Sequence, residues 1–439
     1  MGTGTPGRGW LLRLVLTFAC AQPAVSMARP AVSYRALALG ADERAIGVIT
    51  AVYALLPLLV AVPLGRRTDH GRCAPLLVLG VALITAGCAL SGVAGSLPAM
   101  AAWSGVMGLG HLCFVIGAQS IVARRSAPDE RDRNFGHFTI GASLGQLVGP
   151  AAAGLVVSEH DGAMGPTSAA ALLVAGGLAA LSYASLWQLE HRPERRAAAP
   201  GAARPAQDRT AASPRTSVQA ILRTRGVLAG IFMSLAVLSA TDILTAYLPV
   251  VGEDRGIAPA TVGALLSLRA AATIACRLVM TPMIRLLGRT ALMAGSCALA
   301  GLLCAGPALP VPVWALALML AVLGFCLGVG QPLSMTTVVQ AAPEAARSTA
   351  LALRLTGNRL GQVAAPATAG LLAGLAGTAA PFAMLAVLLL ASAGAAVRTG
   401  RQARPKRPGN GPASAGNPPV ASPAGPPGPA PDGGTPATR

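Results

Sequence analysis

The chain has 439 residues, of which 53% are hydrophobic and only 11% are charged. A soluble domain carries about 25% charged residues, so this composition excludes an ordinary soluble protein and points to a membrane. The formal charge of +18 does not mark a nucleic-acid binder, because the arginines crowd alternate loops between apolar runs and form a basic face suited to anionic lipid.

Apolar runs of about 20 residues, the length of a membrane-crossing helix, recur along almost the whole chain. They place twelve spans at 14–39, 45–64, 75–95, 99–123, 135–157, 168–189, 226–251, 259–280, 291–307, 313–338, 348–375 and 379–397. Backbone inside lipid must satisfy its own hydrogen bonds, so spans are helices or closed barrels. No period-two alternation runs through them, and the expected class is an all-α integral membrane protein. The first span follows Arg8 and Arg13 and could pass for a secretory leader. Its apolar run continues to Leu39 without an A-x-A cleavage site, so it is expected to be retained. The loops assigned outside hold Arg44 and Arg255 but six of the sixteen acids. Arg66, Arg67, Arg72, Arg124, Arg125, Arg131 and Arg133 fill the opposite loops. This positive-inside bias places both termini in the cytoplasm.

Further along, the loop after span 2 reads "GRRTDHGR" from Gly65 to Arg72. Span 4 contains His111. Span 5 reads "GHFTIGASLGQLVGPAAAG", with Gly141, Gly145 and Gly149 on one helical stripe followed by Pro150. Small residues on one stripe let helices approach closely in lipid. After a six-span unit at 1–189 comes an Arg-, Ala- and Pro-rich linker at 190–225, in which "TSVQAILRTRG" has the makings of a short surface helix. A second six-span unit covers 226–400. The Pro/Gly/Ala/Ser tail, 401–439, has no apolar periodicity and is expected to be disordered. The two units repeat each other: "SLGQLVGPAAAGLV" at 143–156 matches "RLGQVAAPATAGLL" at 359–372, and Gly40 and Gly47 return as Gly256 and Gly263, each 216 residues on. A duplicated six-helix unit suits a transporter whose halves rock about a midplane site.

These features resemble the major facilitator superfamily over roughly residues 10 to 400. "GRRTDHGR" resembles its signature between spans 2 and 3, with His70 at a position usually basic and one position missing before Gly71. The resemblance implies a gating role for Gly65, Asp69, Gly71 and Arg72. Gly136, Gly145, Gly149, Pro150 and Gly154 resemble the span 5 signature of the drug–proton antiporter branch, with Ala153 replacing one closing glycine. That likeness implies export by proton antiport. Against it, span 4 lacks the arginine usual in proton-coupled exporters, and Ser104 stands about where it would fall.

Ionisable residues at membrane depth are expensive and mark function. Asp242 in span 7 is the single carboxylate inside any assigned span. Arg29, Arg269, Arg359 and His111 also lie well inside, whereas Arg35, Arg277, Arg354 and His137 lie near span ends and are expected to snorkel. In the superfamily, spans 1 and 7 face each other across the cavity, so an Arg29–Asp242 pair is expected, with proton entry at Asp242 breaking it. The deep arginines outnumber the acid three to one, which calls for an anionic substrate. Arg354, Asn358 and Gln362 form a polar stripe on span 11, with Tyr53 and Gln331 as secondary lining candidates. An aromatic content of 3% argues against a broad cationic-drug pocket. The eight cysteines form no C-x-x-C and read as packing residues. No metal, cofactor or ATP-binding loop is expected, and no convergent enzyme site. The reading is a monomeric secondary transporter in a bacterial inner membrane, exporting an organic anion or drug-like compound against protons, with uptake by symport or uniport as its rival.

Overall fold

The computed structural model describes residues 9–70, 74–126, 131–157, 163–186, 218–224, 226–342 and 347–403. The first half comprises α1 (Gly9–Ala38), α2 (Glu43–His70), α3 (Ala74–Val93), α4 (Leu97–Arg125), α5 (Arg131–Val156) and α6 (Met164–Leu186). A short helix, α7 (Val218–Arg223), precedes the second half: α8 (Val227–Asp254), α9 (Pro259–Leu287), α10 (Arg289–Leu303), α11 (Val313–Ala341), α12 (Arg347–Ala376) and α13 (Ala380–Ala403). Ten of these helices are long and apolar enough to cross a membrane. Three fall outside that set, the short α7 and two long helices. Of the long ones, α12 carries Arg347, Arg354 and Arg359, and α5 opens on Arg131, Asp132 and Arg133 ahead of its apolar run.

Local chemistry sets the helix ends. The Asp42 carboxylate accepts the Ala45 N–H at 2.8 Å and caps α2. Gly40 (φ 80°) and Gly256 (φ 61°) end α1 and α8 in the left-handed region, which costs glycine little. Pro98 and Pro259 sit in the first turns of α4 and α9, where a missing N–H leaves no gap. The region read as the loop "GRRTDHGR" is helical as far as His70. Gly65 and Asp69 therefore stand on the last turns of α2, and Gly71 and Arg72 lie outside the described residues.

The duplication keeps register at most helix starts. Glu43 and Pro259 open α2 and α9, Leu97 and Val313 open α4 and α11, and Arg131 and Arg347 open α5 and α12, always 216 residues apart. Close packing repeats as well. A Cβ on Gly108 would strike the backbone of Tyr53, and one on Gly324 the backbone of Arg269, so the same glycine brings α4 onto α2 and α11 onto α9. The short α7 joins the second half by burying Ile221 against Val227, Val338 and Ala350.

The halves meet through α2 with α12, α5 with α9 and α1 with α8. At the end of the bundle away from the two termini, here the distal end, this contact is backbone on backbone. A Cβ on Gly47 would lie 2.6 Å from Gly370 Cα and 2.6 Å from the Pro366 carbonyl oxygen. The partner crossing repeats it, because a Cβ on Gly263 would lie 3.1 Å from Gly154 Cα and against the Pro150 carbonyl oxygen. Polar ties add to the closure: the Tyr247 hydroxyl donates to the Glu43 carbonyl at 3.0 Å, and Arg44 donates to the Gly374 carbonyl at 2.9 Å.

Candidate functional site

Near mid-depth, α1 and α8 bring Arg29 and Asp242 together. Arg29 donates to Asp242 Oδ1 at 2.7 Å across the junction of the halves. Asp242 lies about 18 Å from the distal end of α8 and Arg29 about 14 Å from that of α1, at about 1.5 Å per residue. The expected pair is therefore present. Its carboxylate side chain is 6% exposed and its guanidinium 22% exposed.

The pair is the centre of a longer chain of polar contacts. Gln362 on α12 donates from Nε2 to Asp242 Oδ2 at 2.9 Å, and Arg359 donates to Gln362 Oε1 at 3.0 Å. On the other side the Arg29 guanidinium lies over the Tyr53 ring, 5.4 Å from its centroid, an attractive placement for a cation on a π face. Tyr53 Oη is 2.8 Å from His111 Nδ1, and His111 Nε2 is 3.3 Å from Gln22 Oε1. This pattern fits a neutral imidazole that accepts from Tyr53 and donates to the Gln22 amide. The chain Gln22–His111–Tyr53–Arg29–Asp242–Gln362–Arg359 thus crosses five helices and both halves. Arg269 stands within electrostatic reach of Arg29 and Asp242. It is buried, and its Nε has no hydrogen-bond partner among the described residues. Three guanidiniums face one carboxylate, which leaves two positive charges in excess.

A pocket of about 290 Å³, including its open mouth, lies on the distal side of the pair. Arg29, Thr50, Tyr53, Ser104 and Thr245 supply its polar wall. Most of that figure is open mouth, and the enclosed part has room for about one water molecule, well short of a small-molecule site in this closed-ended state. Ser104, the position that lacks the span 4 arginine, thus faces the same space as Arg29.

Two sequence expectations change here. The stripe on α12 divides instead of lining one surface. Arg354 does not snorkel: it is buried and donates to the Gln331 carbonyl at 3.1 Å, Gln331 Oε1 at 2.8 Å and Ser334 Oγ at 3.3 Å. Gln331 in turn donates to the Ser234 carbonyl at 2.9 Å, so Gln331 belongs to this second cluster, away from the ion pair. Asn358 lies one turn from each cluster, buried, with Oδ1 lacking a partner. Arg35 likewise donates to the carbonyls of Gly165 and Ala94, at 3.1 and 2.9 Å, and ties three helix ends. Exposed Arg277 does point outward, as expected of a snorkelling residue.

The glycines of α5 also divide. A Cβ on Gly145 would lie 2.7 Å from Gln22 Cγ and Pro23 N, and one on Gly149 2.7 Å from Met27 N. Both pack on α1, inside the first half. Of the signature, Gly154 and the Pro150 carbonyl face α9 across the junction. Next to Pro150, the Ala151 N–H donates to Ser267 Oγ of α9 at 3.1 Å. The side of α5 that carries Gly136 and His137 lies outside what is described. Gln22 and Ser267 escaped the sequence reading. A lone glutamine deep in an apolar span was the available signal for Gln22, and nothing marked Ser267. Among the described residues no three His, Cys, Asp or Glu side chains come together to hold a metal.

A family model described as Major Facilitator Superfamily matches residues 14–257 and again 231–428. The chain belongs to the major facilitator superfamily. It is accordingly an integral membrane protein and a transporter of small molecules. No curated protein matches the sequence. Similar solved structures include the nucleoside transporter NupG, with TM-score 0.70 and 15% identity over 89% of this chain and 99% of that one. A bacterial homologue of the human lysosomal transporter Spinster, inward-facing and occupied, gives 0.68 and 13% over 91% and 98%. A POT family transporter in complex with a thioalcohol-conjugated peptide gives 0.69 and 14% over 90% and 96%. At such identities the likeness is one of fold alone.

Proposed function

We propose that this superfamily member is a proton-coupled secondary transporter of a small organic anion. The observation that carries the reading is the Arg29–Asp242 ion pair between the halves, flanked by Arg269 and Arg359 with no second carboxylate beside them among the described residues. Isolated positive charge at membrane depth is costly, and a bound carboxylate or phosphate supplies the missing counter-charge. Protonating Asp242 frees Arg29 and raises the positive excess further. Proton and anion then strengthen each other's binding, a reciprocity that linkage requires. Ligands that bind best together cross together, so the geometry favours symport. His111, bonded to Tyr53, which lies under Arg29, links the pair to Gln22 through its second ring nitrogen.

Efflux by proton antiport is the second reading, and the Gly145, Gly149–Pro150 and Gly154 spacing favours it. It requires a substrate that competes with the proton for Asp242, hence one carrying a cation. We place both termini in the cytoplasm of a bacterial inner membrane, on the arginine distribution; the closed distal end is then the outer face. The protein is read as a working monomer without a nucleic-acid partner.

Flux into proteoliposomes under an imposed pH gradient, over a panel of organic acids and cationic drugs, tests both readings. An anion accumulating in the direction of proton flow supports symport. A cation driven the opposite way supports antiport. Flux that ignores the gradient in wild type, or coupling fully kept in Asp242→Asn, overturns proton coupling at this pair.

A further inference from the structure

A furrow runs between α8 and α13 at the termini end of the second half, with about 1470 Å³ of open space. Leu228, Ala229 and Phe232 form one wall; Ala391, Gly394 and Ala395 form the other. In the first half the corresponding helices touch, since Thr17 Oγ1 of α1 lies 2.9 Å from Ser185 Oγ of α6. At the 216-residue offset, Gly394 stands where the first half has Leu178, which packs against the core. A Cβ on Gly394 would meet nothing within 4 Å. The second half therefore leaves open a slot that the first half fills.

The slot has a polar end and an apolar end. Arg223 of α7 and Arg398 of α13 line its mouth, both exposed. Among the described residues neither has a hydrogen bond or ion pair, and no carboxylate lines the slot. Deeper in, Phe232 and Ala391 also line the adjoining pocket toward Met384 and Val387, where nearly all the surface is apolar. From Arg398 to Leu388 is ten residues, about 15 Å along the helix. That is about half the ~30 Å hydrocarbon thickness, the reach of one acyl chain.

We propose that this slot binds an anionic glycerophospholipid, with its phosphate between Arg223 and Arg398 and an acyl chain laid over Ala391 and Phe232. Paired guanidiniums match a phosphate, and the small side chains of α13 make room for the chain. A second copy of the protein would need charge opposite to the two arginines, and the slot offers none. This assignment is independent of which substrate is carried.

Native mass spectrometry of the detergent-purified full chain, titrated with phosphatidylglycerol or phosphatidylcholine, tests it. The wild type should retain phosphatidylglycerol preferentially. Arg223→Gln with Arg398→Gln should weaken that binding about thirtyfold, at the usual worth of two basic side chains near an anionic lipid. Gly394→Leu should remove both lipids by filling the slot, and its unchanged melting temperature would show that the fold is kept. Inorganic phosphate should not compete at equal concentration, because it brings no acyl chain. Equal retention of the two lipids, phosphatidylglycerol binding untouched by the variants, displacement by phosphate alone, or a lipid-free dimer covering the slot would each overturn the proposal.

Discussion

At the scale of single residues, the Arg29–Asp242 contact makes the sharpest demands. Removing one member strands the other charge near mid-membrane. Breaking a fully buried pair costs about 3–5 kcal/mol, and the partial exposure of Arg29 sets the loss here below that range. Arg29→Gln and Asp242→Asn should each lower the melting temperature, while the double variant should recover much of the loss and remain inactive in flux. A double variant no more stable than the singles would mean that the pair contributes nothing. Arg269→Gln and Arg359→Gln remove positive charge without breaking the pair. Each should raise the KM for an anionic substrate several-fold, and an unchanged KM in both would separate the surplus charge from substrate binding. Tyr53→Phe keeps the ring under Arg29 but loses the hydrogen bond to His111, worth about 0.5–1.5 kcal/mol. It should leave KM nearly unchanged and flatten the pH profile of flux. These ionisable residues were legible in the sequence because charge in an apolar span stands out. Gln22 and Ser267 were not, since an uncharged polar side chain acquires meaning only from its neighbour.

At the scale of elements, glycine does two different jobs. Gly145 and Gly149 hold α5 against α1 within one half, an association that no transport step has to break. Gly145→Leu should therefore reduce the yield of folded protein. Gly47, Gly370, Gly154 and Gly263 meet only across the junction, where close approach depends on the distal end being shut. Gly47→Ala or Gly370→Ala should fold normally and shift the population toward a distally open state. Spin-label distances across the distal loops should lengthen, and unchanged distances would mean that these crossings do not set the gate. The short α7 adds a test of the linker. Because Ile221 is buried on the second half, halves expressed as 1–210 and 211–439 should reassociate and transport. A cut after Gly226 should destabilise the second half. The α-helical character and span positions were legible from apolar run lengths alone; the division of the glycine stripe was not, because a helix face does not name the helix it meets.

At the scale of the whole molecule, a symmetric scaffold carries an asymmetric site. Most helix starts and the Gly108/Gly324 and Gly47/Gly263 contacts repeat at the same offset in both halves. The site residues do not: Arg29 corresponds to Thr245, Asp242 to Ser26, Tyr53 to Arg269 and His111 to Leu327. Symmetry lets the two halves close the distal end by a pair of like crossings, and asymmetry places one carboxylate opposite a surplus of arginines. Under that arrangement, raising the proton concentration on one side should speed anion entry from that side. Initial rates in proteoliposomes measure this, and equal rates from both sides under the gradient would contradict it. The sequence by itself determined the membrane class, the twelve spans, the duplication and the identity of the costly buried charges, because hydropathy and charge are properties of residues in order. Only the tertiary structure decided which charges touch, which end is shut, which glycines face the junction and where the second half leaves a slot. Those depend on how helices far apart in the chain rotate and cross, and a helix in lipid is apolar on nearly every face, so its own pattern does not say which side is turned inward.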